Sequence, residues 1–308
     1  MKTKNRRFAA VDIALIAMML LPIVAGITLK VLTSPPTQGI SITGAQIYFT
    51  VKMPIQDLPI TAAQINSALV IVSILGLCLY MTHGIRAGVP TRRQHFSEWV
   101  VEKTEAMVAD SMGPFFAGYA PFIAAILALS AFSSLLTLFG LYPPTSDINI
   151  VAGWAILVFI LITYYKLKGG VVNYLKGFTE PIFVMTPLNI LGEIATPISM
   201  AFRHYGNVLS GSVIAVLIAA ALQGLSSLVL GWLPGVIGEI PFFQIGIPAV
   251  LSLYFDIFSG CMQAYIFAML TMMYVSDGFP YEEYVLRKER KKKNKQIKKQ
   301  AVEVQKNA

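Results

Sequence analysis

Apolar residues concentrate in six long stretches of the chain, which polar segments separate. The stretches cover approximately residues 11–31, 65–82, 119–141, 150–165, 188–230 and 248–275. About 20 mainly apolar residues are enough for a helix to cross the hydrocarbon core of a bilayer. The pattern therefore predicts an all-α polytopic membrane protein with about six membrane helices.

The fifth stretch, 188–230, is too long for an upright membrane helix. Its roughly 43 residues would extend about 64 Å at about 1.5 Å per residue, which is about twice the hydrocarbon thickness. A helix of that length must tilt steeply or bend within the bilayer. Together with the last stretch it is predicted to form a long, strongly tilted helical hairpin.

The polar segments divide the chain into four parts. We expect an N-terminal membrane anchor or signal segment at 1–33, an external loop, second span and cytoplasmic surface helix at 34–113, the remaining spans at 114–280, and a basic cytoplasmic tail at 281–308. Four basic residues precede the first apolar stretch, which fits either an anchor or a cleavable signal peptide. No small-x-small cleavage site precedes the break at Ser34, so we favour the anchor, although Ala25-Gly26 leaves cleavage open.

The charge distribution predicts the orientation of the chain. Hydrophobic residues make up 56% of the sequence and charged residues 13%, and the net charge is +8. The tail at 281–308 holds 10 of the 24 Lys and Arg, so the basic charge is local and does not indicate nucleic-acid binding. The opposite side of the predicted topology holds only Lys30 and Lys52. The chain is therefore expected in a bacterial plasma membrane with both termini in the cytoplasm. The tail is expected to contact lipid headgroups.

Motifs for soluble catalysis are missing from the sequence. It contains no P-loop, H-E-x-x-H, G-x-S-x-G or C-x-x-C, so we predict no catalytic residues, no metal and no cofactor. Cys78 and Cys261 both fall in apolar stretches, where cysteine usually acts as a small hydrophobic residue. Any chemistry is expected within the membrane helices themselves.

Arg203 is the first candidate for that chemistry. An arginine at this depth costs at least about 2.5 to 3.5 kcal/mol for insertion, so it is expected to be compensated or used. At 100° per residue, the polar residues within about 40° of it are Thr196, Ser199, Asn207 and Ser210, with Glu193 and Gly211 near 80°. A purely structural ion pair with Glu193 is disfavoured, because ten residues separate the two by about 15 Å along the helix.

The last stretch repeats this pattern. Asp256, Gly260, Gln263 and Phe267 share one helix face at spacings of three and four. An acid and an amide on an intramembrane face suggest a hydrated path, in which Asp256 relays protons, although a protonated Asp256 bonding to another helix is an alternative. His204 lies 100° from Arg203 and is interpreted as a helix-packing or headgroup-side residue.

Two segments carry a resemblance to a known family. Residues 197–211 read PISMAFRHYGNVLSG, with Arg203 followed by Gly206-Asn207 and then by Gly211, and residues 256–267 read DIFSGCMQAYIF. Together with PTSDIN at 144–149, these strings resemble ATP synthase subunit a over about residues 61–275. The 114–280 part is thereby identified as similar to the ion-channel domain of that subunit.

The resemblance implies a non-catalytic, ion-translocating subunit of a rotary F-type ATP synthase. Its implied partners are a c-subunit ring, the b subunits of the peripheral stalk, the remainder of the complex and membrane lipids. The residues implied in ion translocation are Arg203, Asp256, Glu193, Asn207 and Gln263, and those implied in packing against the ring are Gly206, Gly211 and Ser210. The coupling ion would be H⁺ or Na⁺.

One departure and two alternatives accompany the resemblance. Many family members carry an acid where this chain has Ser212, so Asp256 is expected to take over part of its role. A secondary transporter would bind substrate between internal repeats, and no convincing repeat is present. A membrane scaffold would use Arg203 and Asp256 as a structural ion pair.

Overall fold

The computed structural model is mostly helical and confirms the predicted fold class. It describes residues 2–33, 44–54, 56–85, 91–179, 182–230, 243, 246–282, 284–290 and 293, without the side chains of 2–9, 249 and 252. Within these residues, six helical segments are long and apolar enough to cross a membrane. They are Ala10–Thr33, Ala62–Thr82, Pro114–Phe139, Ile148–Lys168, Phe183–Leu230 and Leu253–Asp277. The predicted break at 34–36 and most of the basic tail lie outside the described residues.

The helices and strands follow one another in a simple order. The helices are α1 (Lys2–Thr33), α2 (Ala62–Thr82), α3 (Arg92–Met112), α4 (Ala120–Leu135), α5 (Ile148–Lys168), α6 (Val171–Thr179), α7 (Thr186–Leu230), α8 (Ile247–Ser252) and α9 (Gly260–Asp277). A π-helical segment, Leu253–Ser259, joins α8 to α9. Strands β1 (Ile47–Val51) and β2 (Leu58–Thr61) pair antiparallel between α1 and α2.

The local sequence explains where several elements begin. The Thr91 side chain accepts a hydrogen bond from the Gln94 backbone N–H and caps the start of α3. Asp147 caps α5 in the same way through Asn149. The strands were not predicted; β1 reads IYFTV, a run of β-branched and aromatic residues that favours extended backbone.

The hydrophobic core lies between α4, α5 and α9, with α3 packed against it. Ile123 of α4, Val158 of α5 and Phe267 of α9 are each at most 1% exposed. The long helix α7 contributes Met200 and Ala201 to the same cluster. One side of α7 is therefore fixed to the bundle, which leaves its other side free for a different contact.

The N-terminal helix α1 packs along α2, and polar contacts to other parts of the chain hold it near both of its ends. Asp12 accepts a hydrogen bond from the Arg93 guanidinium at 3.1 Å, and the Lys30 ammonium donates to the Gly140 carbonyl. At Gly76 the two helix backbones approach so closely that a Cβ would lie 2.9 Å from the Met19 nitrogen. The segment predicted as an anchor or signal thus packs against α2 in the folded chain.

Replacing Gly76 by Leu is expected to lower the thermal stability of the chain. Backbone atoms of α1 occupy the space that the new side chain needs, and such overpacking typically costs about 1 to 3 kcal/mol. Gly153→Leu is the matched control, because a Cβ at Gly153 of α5 meets nothing within 4 Å. The measurement is the temperature at which the detergent-solubilised protein aggregates. An equal shift for both variants would contradict the close α1–α2 contact.

Candidate functional site

Arg203 lies on the exposed side of α7. The exposed face that contains it comprises Ser199, Phe202, Arg203, Ser210, Ile214 and Leu217. A Cβ added at Gly206, on the same face, would meet nothing within 4 Å. The ion pairs found among the described residues are Arg93–Asp12 and Lys166–Glu193, so Arg203 is not paired with Asp256 or with Glu193. The exposed face is thus apolar except for a cation and small polar residues.

The opposite side of α7 is packed into the bundle. His204 is fully buried, lies 3.3 Å from the Ser130 hydroxyl, and meets the rings of Trp154 and Phe267 edge to face. The structure therefore places His204 at a helix-packing contact. By holding His204 among three neighbouring helices, the fold directs the adjacent Arg203 outward, because successive residues point about 100° apart.

Two amides connect α7 to α9. The Asn207 side-chain amide donates to the Gln263 carbonyl oxygen at 3.1 Å, and Gln263 is only 2% exposed. A buried amide needs such a partner, because an unpaired one costs about 1 to 3 kcal/mol. The sequence pattern indicated both residues as polar candidates, and the structure joins them one turn after Arg203.

Asp256 lies beyond this amide pair, on the π-helical segment between α8 and α9. It lines a small cavity of about 20 Å³ together with Asn207, Gly211 and Ser212 of α7. A volume of that size is enough for about one water. Gly211 belongs to this internal contact, since a Cβ there would lie 3.2 Å from a ring carbon of Phe255. Gly211 is buried toward the π-helical segment that carries Phe255, whereas Gly206 and Ser210 lie toward the exposed face.

Glu193 lies in a different cleft, on the other side of Arg203. Its two carboxylate oxygens accept hydrogen bonds from the Lys166 ammonium at 2.8 and 2.6 Å. The cleft measures about 560 Å³ and is also lined by Tyr174, Thr196 and Asp277. Burial raises the pKa of the Tyr174 phenol, and the charge of Glu193 with a hydrogen bond to its carboxylate raises it further. Sequence reasoning missed Lys166 as a functional candidate.

The site therefore has two polar recesses on α7 with Arg203 between them. Glu193 lies ten residues before Arg203 and Ser212 nine residues after it, which corresponds to about 15 and 14 Å along the helix. No group of His, Cys, Asp or Glu suited to holding a metal ion occurs in the part of the chain that the structure describes. The arrangement offers a charge on an exposed surface and a separate polar recess to each side of it.

Comparisons with known proteins identify relatives of the chain. The family described as "ATP synthase A chain" matches residues 65–276. "ATP synthase subunit a" of Bacillus pumilus is 31% identical over 227 residues, which is 69% of this chain and 88% of that protein. The protein of the same name from Acidothermus cellulolyticus is 30% identical over 221 residues, or 68% of this chain and 73% of that protein. "ATP synthase subunit a, sodium ion specific" of Propionigenium modestum is 27% identical over 244 residues, or 74% and 77% of the two chains.

Proposed function

The chain belongs to the ATP synthase subunit a family, and from this premise we propose that Arg203 separates two ion half-channels and faces a ring of c subunits. As a member of that family the chain is a multi-pass membrane protein of the ATP synthase complex, and it translocates ions without catalysing a reaction of its own. This membership decides against the transporter and scaffold alternatives.

The observation that carries the proposal is the position of Arg203 on the exposed face of α7, between the two polar recesses. A ring carboxylate passing this face would meet a guanidinium, which favours the ionised carboxylate. The guanidinium keeps its proton even when it is desolvated, so it cannot carry a proton from one recess to the other. Ions would have to travel round the ring instead, which couples their flow to rotation.

The other site residues then take separate roles in the proposal. Asp256 and the pair Asn207–Gln263 would line the half-channel on the external side. Their recess includes Ser134 and Thr137, at the end of α4 that lies away from the predicted cytoplasmic helix α3. Glu193 would line the half-channel on the cytoplasmic side. Gly206 and Ser210 would let the ring helices pass closely, while Gly211 would support this surface from within through its contact with Phe255.

The proposal extends to orientation, domains and partners. Residues 114–280 form the ion-channel domain, and α1 is a retained anchor rather than a cleaved signal, supported by its contacts at Asp12 and Lys30. Both termini lie in the cytoplasm, and the membrane is a bacterial plasma membrane. The c ring, the b subunits of the peripheral stalk and membrane lipids are the proposed contacts. The coupling ion is H⁺ or Na⁺, and one relative is named sodium ion specific.

Cross-linking from the exposed face of α7 tests the proposal. In a synthase whose Cys78 and Cys261 are replaced by Ser, a cysteine-directed photocrosslinker attached at Ile214→Cys or Leu217→Cys is expected to yield a product with subunit c. These positions are 42% and 57% exposed and lie on the same face of α7 as Arg203. Ala201→Cys, at 4% exposure on the packed side, is the matched control. Products with lipid alone from Ile214 and Leu217 would contradict a ring-facing α7.

A further inference from the structure

Lys166 is the one residue of the Glu193 cleft whose side chain ends in an ammonium among the lining residues that the structure describes. We propose that Lys166 is a positioning residue that occupies the Glu193 carboxylate and thereby limits how readily the cleft admits the coupling cation. The inference rests on the proposed function, in which Glu193 lines the cytoplasmic half-channel.

The contact leaves little of Glu193 open to another cation. One ammonium reaches both carboxylate oxygens, at 2.8 and 2.6 Å, and the two side chains are only 26% and 16% exposed. Carboxylate oxygens are the ligands that a hydrated proton or Na⁺ would use on its way through the cleft. A mobile cation must therefore displace the ammonium or pass beside it.

The end of α9 is shaped to receive the Lys166 side chain. A Cβ at Gly278 would lie 3.0 Å from Cε of Lys166 and 3.1 Å from its Cγ. The aliphatic part of Lys166 therefore crosses Gly278 and is guided from α5 toward Glu193 on α7. This packing distinguishes Lys166 from a surface lysine that meets a carboxylate by chance, because exposed pairs of that kind are held only loosely.

The remaining charges around the cleft come from each element that packs there. Asp277 at the end of α9 lines the cleft together with Glu193, and Tyr174 approaches from α6. Arg287 donates to the Lys168 carbonyl at 3.5 Å, and the Lys168 ammonium lies over the Tyr164 and Tyr165 rings, at 4.9 and 4.3 Å from their centres. Neither cation is among the residues that line the cleft.

The charge balance of the cleft determines the expected effect. Removing the Lys166 ammonium would leave the two carboxylates of Glu193 and Asp277 in the cleft and make its net charge more negative. A more negative recess attracts cations, and one unit of charge at a partly solvated site changes local cation occupancy by about three- to tenfold. The Lys166→Gln synthase should reach half-maximal ion uptake at a correspondingly lower ion concentration.

ATP-driven uptake into inverted membrane vesicles measures this shift, because the cytoplasmic cleft then faces the bath. The rate is followed against external pH, and separately against Na⁺ at fixed pH. With H⁺ as coupling ion, Lys166→Gln is expected to move the pH of half-maximal uptake upward by about half to one unit. Lys168→Gln, which removes the same charge two residues away, and Lys166→Arg, which keeps the charge, should both stay within about 0.2 units of the parent.

Three results would overturn the proposal. They are a midpoint for Lys166→Gln equal to that of the parent, a shift in the opposite direction, and an equal shift in Lys168→Gln. If Lys166→Gln does not assemble, Gly278→Val takes its place, because it displaces the Lys166 side chain without changing the net charge. It is expected to shift the midpoint in the same direction, and a parental midpoint would overturn the proposal. Failure of the proposed function is distinguishable, since it would appear as absent cross-links from Ile214 and Leu217 to subunit c.

Discussion

Replacement of Arg203 by Ala should reduce ATP-driven ion uptake by about 10²-fold or more while the complex still assembles. Arg203 lies on the exposed face of α7, and the ion pairs among the described residues do not include it, so its removal disturbs little packing within the chain. Without the guanidinium, a ring carboxylate at this position loses the charge that favours its ionised form. Inverted vesicles that carry the complete synthase provide the measurement, with H⁺ and Na⁺ followed separately.

The controls for this variant concern charge and assembly. Co-purification of subunit c and ATP hydrolysis by the solubilised complex verify assembly. Arg203→Lys keeps a positive charge but can lose its proton when desolvated, so we expect weak pumping together with an increased passive ion leak. Parental uptake in Arg203→Ala would reduce the arginine to a structural residue and contradict the proposed separation of the half-channels.

The sequence was sufficient to predict the features that follow from helical periodicity and length. The 188–230 stretch predicts a helix that the structure has at Thr186–Leu230, and the 100° step places Arg203 and Ser210 on one face. The same step places Glu193 and Gly211 about 80° away, toward the side that the structure packs into the bundle. These properties are local to one helix, so they do not depend on which helices are neighbours.

Contacts between helices could not be predicted in the same way. Lys166 meets Glu193 across 27 positions of sequence, and nothing in the periodicity of either helix joins them. The resemblance implies that Gly211 packs against the c-subunit ring, whereas in the structure the aromatic ring of Phe255 lies against it. Asp256 lies in a π-helical segment, which has more residues per turn than an α-helix. Its side chain therefore leaves the face that a 3.6-residue period assigns to Asp256. The partner of each side chain depends on tertiary packing.

Asp256 and Ser212 illustrate what the packing adds. The sequence resemblance implies an acid at position 212, where this chain has Ser212. Asp256 lies on a different helical segment. In the structure both residues line the same cavity of about 20 Å³, beside Asn207. A carboxylate placed on either helix would therefore reach the same recess. In the proposed function the recess uses an acid, and positions 212 and 256 both give access to it.

Because Asp256 and Ser212 line the same cavity, a carboxylate at position 212 should restore the ion uptake that is lost when Asp256 is replaced. Asp256→Asn is expected to lower ATP-driven uptake by about 10²-fold, because the recess loses its group for proton transfer. Adding Ser212→Glu should restore at least about a tenth of the parental rate, since the new carboxylate enters the same recess from α7. Ser227→Glu is the matched control, because Ser227 is exposed on the same helix and does not line this cavity. Equal rescue from both positions, or none from Ser212, would show that a carboxylate in this cavity is not what ion transfer requires.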